Sequence, residues 1–150
     1  MTGLSRRDAL ALGAGMAALS VAAPGLAWAK ETTVDAAIAE FTGGADVVEE
    51  GITVGAPEIA ENGNTVPIEV SVDSAMEGDD MVEAVLVLAD GNPNPGVATF
   101  KFSPLSAEAS ASTRIRLAKT QNVIAVARMK DGSYRKDVRP VKVTIGGCGG

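Results

Sequence analysis

The chain has 150 residues and sets 13 Lys and Arg against 19 Asp and Glu, for a net charge of −6, with no histidine and one cysteine. Without imidazole it lacks the usual general base, most catalytic triads and the common zinc ligands, and a lone thiol excludes an internal disulfide or a paired redox motif. An acidic chain with no basic cluster is a poor partner for nucleic acid.

The first residues read as an export address. Arg6 and Arg7, within Ser5-Arg6-Arg7-Asp8-Ala9-Leu10, form a twin-arginine pattern, followed by an apolar run from Ala9 to Ala23 that is too short to span a bilayer. Pro24 breaks it, and Ala27-Trp28-Ala29 supplies the small-x-small site that signal peptidase needs. The expectation is a Tat-type signal over residues 1–29, cleaved after Ala29, and a periplasmic product with no membrane attachment after cleavage. Cleavage removes Arg6, Arg7 and Asp8, which leaves 11 basic against 18 acidic residues.

From residue 30 to 145 a single domain is expected. Thr33 to Phe41 predicts a short helix with Val34, Ile38 and Phe41 on one face, stopped by Gly43-Gly44. Strands follow. Ile52–Val54 is one, and Thr65–Asp73 alternates with Val66, Ile68, Val70 and Val72 on one face. Val82–Ala89 is more continuously apolar. Val97–Ser103 points Ala98, Phe100 and Phe102 inward, and Ser112–Leu117 points Ile115 and Leu117 inward with Arg114 and Arg116 outward. Asn122–Met129 and Val138–Ile145 complete the set, the last holding Pro140, which marks an edge or a bulge. Turn signals separate them at Glu61-Asn62-Gly63-Asn64, Glu77–Asp80, Gly91–Gly96 and Lys130–Ser133. About seven short strands with polar turns predict an all-β, immunoglobulin-like antiparallel β-sandwich, with a small open barrel as the alternative.

The chemistry concentrates at the end, Gly146-Gly147-Cys148-Gly149-Gly150. Four glycines around one thiol predict a mobile, thin arm over residues 146–150, which fully extended reaches roughly 17 Å. Such an arm suits a thiol that enters a narrow channel in another protein. The nearest charge in sequence is the terminal carboxylate of Gly150, which disfavours thiolate, so activation has to come from the pocket that receives the arm. That is a carrier's behaviour rather than a catalyst's. The competing reading is a non-catalytic sandwich module stapled to a partner by an intermolecular disulfide through Cys148. A terminal Gly-Gly also resembles ubiquitin-like sulfur carriers, but these are activated by ATP in the cytoplasm and possess a central helix that this strand-rich pattern lacks.

Several segments together resemble the SoxY family: the twin-arginine leader, Ala60-Glu61-Asn62-Gly63-Asn64-Thr65-Val66-Pro67, the Asn92-Pro93-Asn94-Pro95 turn, Ser112-Thr113-Arg114-Ile115-Arg116-Leu117, and Val143 to Gly150. SoxY is the sulfur-carrier subunit of the bacterial Sox thiosulfate-oxidation system. The resemblance implies an immunoglobulin-like sandwich, no cofactor of its own, and a heterodimer with SoxZ. It also implies a cycle in which SoxAX joins thiosulfate oxidatively to Cys148 to give a cysteine S-thiosulfonate. SoxB then hydrolyses off sulfate and SoxCD oxidises the remaining persulfide. Cys148 carries over as the covalent site, and Gly146, Gly147, Gly149 and Gly150 as the arm.

Other clusters read as ordinary surface or core. Asp46, Glu49, Glu50, Asp79, Asp80 and Glu83 fit no calcium loop and read as a solvated acidic surface. Arg114 and Arg116 read as solvated strand charges. Met76, Met81 and Met129 without histidine make a weak copper site.

Overall fold

The computed structural model describes residues 33–147. The helix α1 (Val34–Thr42) starts where Thr33 takes an extended backbone and its hydroxyl accepts the Ala36 N–H at 3.2 Å. It stops at Gly43, whose φ of 65° ends the helix in the left-handed conformation that glycine tolerates best.

Among the described residues nine strands follow: β1 (Val47–Val48), β2 (Ile52–Gly55), β3 (Ile59–Ala60), β4 (Val66–Val72), β5 (Val82–Ala89), β6 (Gly96–Lys101), β7 (Ser110–Ile115), β8 (Gln121–Met129) and β9 (Tyr134–Val143). One sheet runs β1-β9-β8-β5-β6, with β3 also pairing β9; the other runs β2-β4-β7. All seven expected strands form. The two-residue β1 and β3 escaped expectation because they are too short to show a period, and both pair with β9 in parallel, unlike the antiparallel remainder. β9 also begins at Tyr134, four residues before the expected Val138, because Arg135, Lys136 and Asp137 hide the alternation there.

The sheets share one core. Val54, Val66, Ile68 and Val70 from the small sheet meet Val85, Val87, Val123, Ala125 and Val141 from the large one, which excludes the open barrel. Each such aliphatic side chain contributes about 1.5–3 kcal/mol on burial. β4 has one wet face and alternates strictly between buried and exposed. β5 and β8 do not, because α1 covers the outer face of their sheet: Val34, Ala37, Ile38 and Phe41 pack on Leu88, Ile124 and Val126. Burial on both faces explains the continuous apolar run at Val82–Ala89.

β9 leaves part of its far edge free between the short partners at Tyr134–Arg135 and Lys142–Val143. Pro140 lies in that gap, opposite Asn122, whose backbone groups bond towards Asp90 instead. The missing N–H therefore falls where no ladder bond is needed. Val138–Pro140 in that stretch are exposed, and the Asp137 side chain accepts the Val138 N–H at 2.9 Å and the Val54 N–H at 2.7 Å.

Candidate functional site: the seat of the C-terminal arm

β9 ends at Val143, and the following residues are held one by one. The Val143 N–H donates to the Thr120 hydroxyl at 3.0 Å, and the Thr144 N–H to the Ala60 carbonyl at 3.0 Å. The Thr144 hydroxyl donates to the Glu61 carbonyl at 2.9 Å. The Ile145 carbonyl accepts the Gly63 N–H at 2.7 Å, and the Gly147 N–H donates to the Leu117 carbonyl at 2.9 Å. Gly63 closes the circuit by accepting the Leu117 N–H at 2.8 Å. Gly63 and Gly147 are buried although neither has a side chain to bury.

Glycine is required here by space. A Cβ on Gly63 would collide with the Leu117 carbonyl oxygen and lie 2.7 Å from the Gly147 nitrogen. A Cβ on Gly146 would collide with the Ala118 carbonyl oxygen, and one on Gly147 would lie 2.8 Å from the Gly63 oxygen. Real Cβ atoms essentially never approach heavy atoms below 3.0 Å. None of the three has a positive φ, so backbone torsion is not the reason for glycine at these positions.

The floor of the seat, Arg116–Ala118, is pinned from the other side by the Asn92 turn. The Asn92 amide donates to the Arg116 carbonyl at 2.9 Å, and its oxygen accepts the Ala118 N–H at 2.9 Å and the Gln121 amide at 2.9 Å. Gln121, one of the few buried polar residues, also donates to the Lys119 carbonyl at 3.0 Å and accepts the Gly91 N–H at 2.7 Å. The Leu117 side chain is wholly buried in the core while its carbonyl holds the arm. Arg116 and Lys119 flank it, exposed, and Lys142 is exposed on the last strand.

Among the site residues expected from sequence, Gly146 and Gly147 are at this seat. Cys148, Gly149, Gly150, Arg6, Arg7, Ala27 and Ala29 lie outside the described residues. From sequence, Gly63 and Asn92 read as turn residues and as members of segments that carry the family resemblance; neither signal says what the turn touches. The acidic residues partly pair with cations: Glu83 with Arg128 at 3.0 Å, Asp80 with Arg135 at 3.6 Å and Glu49 with Lys136 at 2.8 Å. Among the described residues no three His, Cys, Asp or Glu side chains gather as metal ligands. Met76 and Met129 are buried core, with Met81 packed beside them, and Phe100 and Phe102 pack against the same core. At the β8–β9 turn the Asp131 carboxyl is held below its ordinary value by hydrogen bonds from the Ser133 hydroxyl, at 2.6 Å, and the Ser133 N–H. Among the described residues no helix is long and apolar enough to cross a membrane.

Fold and site together define a two-sheet sandwich whose terminal glycine-cysteine segment is anchored at its base by backbone contacts. The family model for the sulfur oxidation protein SoxY matches residues 38–148, and the chain belongs to the SoxY family. The sulfur carrier protein SoxY from Chlorobium limicola f thiosulfatophilum is similar in structure, with a TM-score of 0.64 and 35% identity over 76% of this chain and 98% of that one. The superoxide reductase (neelaredoxin) of Ignicoccus hospitalis superposes with a TM-score of 0.52 at 21% identity, over 74% of this chain and 93% of that one. The superoxide reductase of Nanoarchaeum equitans gives 0.54 at 13% identity, over 64% of this chain and 100% of that one. These two share the fold alone. Among curated protein sequences none matches this chain.

Proposed function

We propose that the protein is a periplasmic sulfur carrier that holds thiosulfate-derived intermediates covalently on Cys148 and presents them to the other proteins of a Sox system. The observation that carries this reading is the position of the lone thiol: it directly follows Gly147, the residue at which the arm's base is bonded to the sandwich, in a chain of the SoxY family.

In the cycle this implies, the Cys148 thiol and the sulfane sulfur of thiosulfate form an S–S bond, one proton leaves, and two electrons pass to SoxAX. SoxB adds water across the terminal sulfur–sulfur bond, releasing sulfate and a proton and leaving a persulfide. SoxCD removes six electrons from the outer sulfur with water as the oxygen source, and a second hydrolysis by SoxB returns the free thiol. The chain's own part is to hold the sulfur and deliver it. Tethering keeps each step effectively intramolecular within a docked complex. A heterodimer with SoxZ supplies the second sandwich, and the signal over residues 1–29 accounts for the compartment.

The test is intact-mass spectrometry after turnover with thiosulfate and the partner enzymes. Adducts of thiosulfate and of single sulfur on Cys148, absent from Cys148→Ser at unchanged melting temperature, are the expected result. An unmodified thiol throughout, or only a reducible disulfide-linked dimer, overturns the assignment.

A further inference from the structure

We propose that Gly63, Gly146 and Gly147 form a releasable backbone clamp, with Gly63 as the positioning residue that fixes where the reactive arm leaves the sandwich. The inference rests on the carrier reading for its purpose, and on geometry alone for its existence.

The seat is built mainly from backbone, with the Val143 side chain beside Gly63. Gly63 lies between Leu117, two residues past the end of β7, and the arm, bonded to Leu117 through its carbonyl and to Ile145 through its N–H, while the Gly147 N–H donates to the Leu117 carbonyl. Three chain segments approach so closely that a methyl group at any of the three glycines overlaps backbone, which cannot rotate away as a side chain can. A glycine-rich end needs no such fit for thinness or mobility. The fit has a consequence for reach. While Gly147 is seated, the sulfur of the next residue lies within roughly 7 Å of the Gly147 Cα, one Cα–Cα step plus a cysteine side chain. If the arm lifts as far as Ile145, the same sulfur reaches roughly 13 Å from that residue. The clamp therefore sets the pivot of the arm: Gly147 while it is seated, and Ile145, two residues earlier, once it lifts, which widens the volume the thiol can sweep. The bonds from Thr144 to Ala60 and Glu61 lie beyond the hinge and keep it from peeling further.

Gly63→Ala is the direct test, and Gly147→Ala, which alters only the arm, is the control against a general folding defect. Two readouts that need no thiosulfate are used on the mature chain. Amide hydrogen exchange at Gly147 is expected to be slowed at least about tenfold in the parent and to return close to the unprotected rate in both variants, with core strands still protected. A nitroxide on Cys148 is expected to report faster motion in both variants than in the parent. Unprotected Gly147 in the parent overturns the clamp. So does protection and label motion unchanged in Gly147→Ala, whatever Gly63→Ala does to stability. Because thiosulfate adduct formation is measured separately, the clamp can fail while Cys148 still carries sulfur, and the carrier reading can fail while the clamp stands.

Discussion

Asn92→Ala removes the side chain that joins the Asn-Pro-Asn-Pro turn to the floor of the arm's seat. Three hydrogen bonds of 2.9 Å disappear, leaving the Arg116 carbonyl and the Ala118 N–H without that partner. The Gln121 amide keeps its bond to the Lys119 carbonyl, so it is not stranded. At about 1 kcal/mol net per bond, and with Asn92 partly exposed so that water replaces some of the loss, the expected cost is about 2–3 kcal/mol. For a domain of this size that lowers the melting temperature by roughly 8–12 °C. The assay is thermal and urea unfolding of the mature protein, paired with a double-mutant cycle against Gln121→Ala. Asn92 and Gln121 share one network, so the double variant is expected to lose less than the sum of the two, with a coupling of about 0.5–3 kcal/mol. A loss below about 0.5 kcal/mol for Asn92→Ala, or strict additivity with Gln121→Ala, would refute the claim that this network supports the seat.

Leu117→Ala opens a void at a fully buried core position while keeping the backbone carbonyl that binds Gly147; a loss of about 2–5 kcal/mol in urea unfolding is expected, and a loss under 1 kcal/mol contradicts the packing described. Gly43→Ala meets no neighbouring atom, so its expected cost, roughly 1 kcal/mol by thermal unfolding, is the torsional penalty of the left-handed helix cap alone. Ser133→Ala deletes the main bond that lowers the Asp131 carboxyl, so its NMR titration is expected to move upward towards the ordinary carboxylate value. The sign for stability follows: the folded-state value is depressed, so the contribution is present above about pH 4 and fades as pH falls through the folded value, and the variant should show less of that fading.

Most of the sandwich was legible in the sequence, for reasons that differ by strand. β4 has one wet face, so Val66, Ile68, Val70 and Val72 write out the period directly. β5 and β8 gave up their type through length and β-branched composition, while the continuous apolar pattern concealed that α1 lies on their outer face. β1 and β3 were invisible because two residues hold no period and their reason for pairing is the edge of a distant strand. At the site, Gly146 and Gly147 were plain to read as members of a glycine-rich end. The seat was not: Gly63 and Gly147 are 84 positions apart, and a glycine chosen for close approach looks the same in sequence as one chosen for a turn. Four of the segments that carry the family resemblance, around Gly63, Asn92, Leu117 and Gly147, nevertheless converge on this one place.

On the clamp reading, the energies are of a size that makes the seat useful. Two backbone hydrogen bonds, from Gly63 to Ile145 and from Gly147 to Leu117, tie the arm down across the hinge. At about 1 kcal/mol each, lifting the arm costs about 2 kcal/mol, which leaves the lifted form populated at roughly 3% with no partner present. That is frequent enough for a deep pocket to capture the lifted form without any separate trigger. It is also rare enough that Gly147 spends nearly all its time bonded to the Leu117 carbonyl. A partner that binds only the lifted form gives up those 2 kcal/mol, about a thirtyfold loss in apparent affinity, which helps release the carrier once the sulfur has been processed. A tether with no seat would give no such loss and no such release.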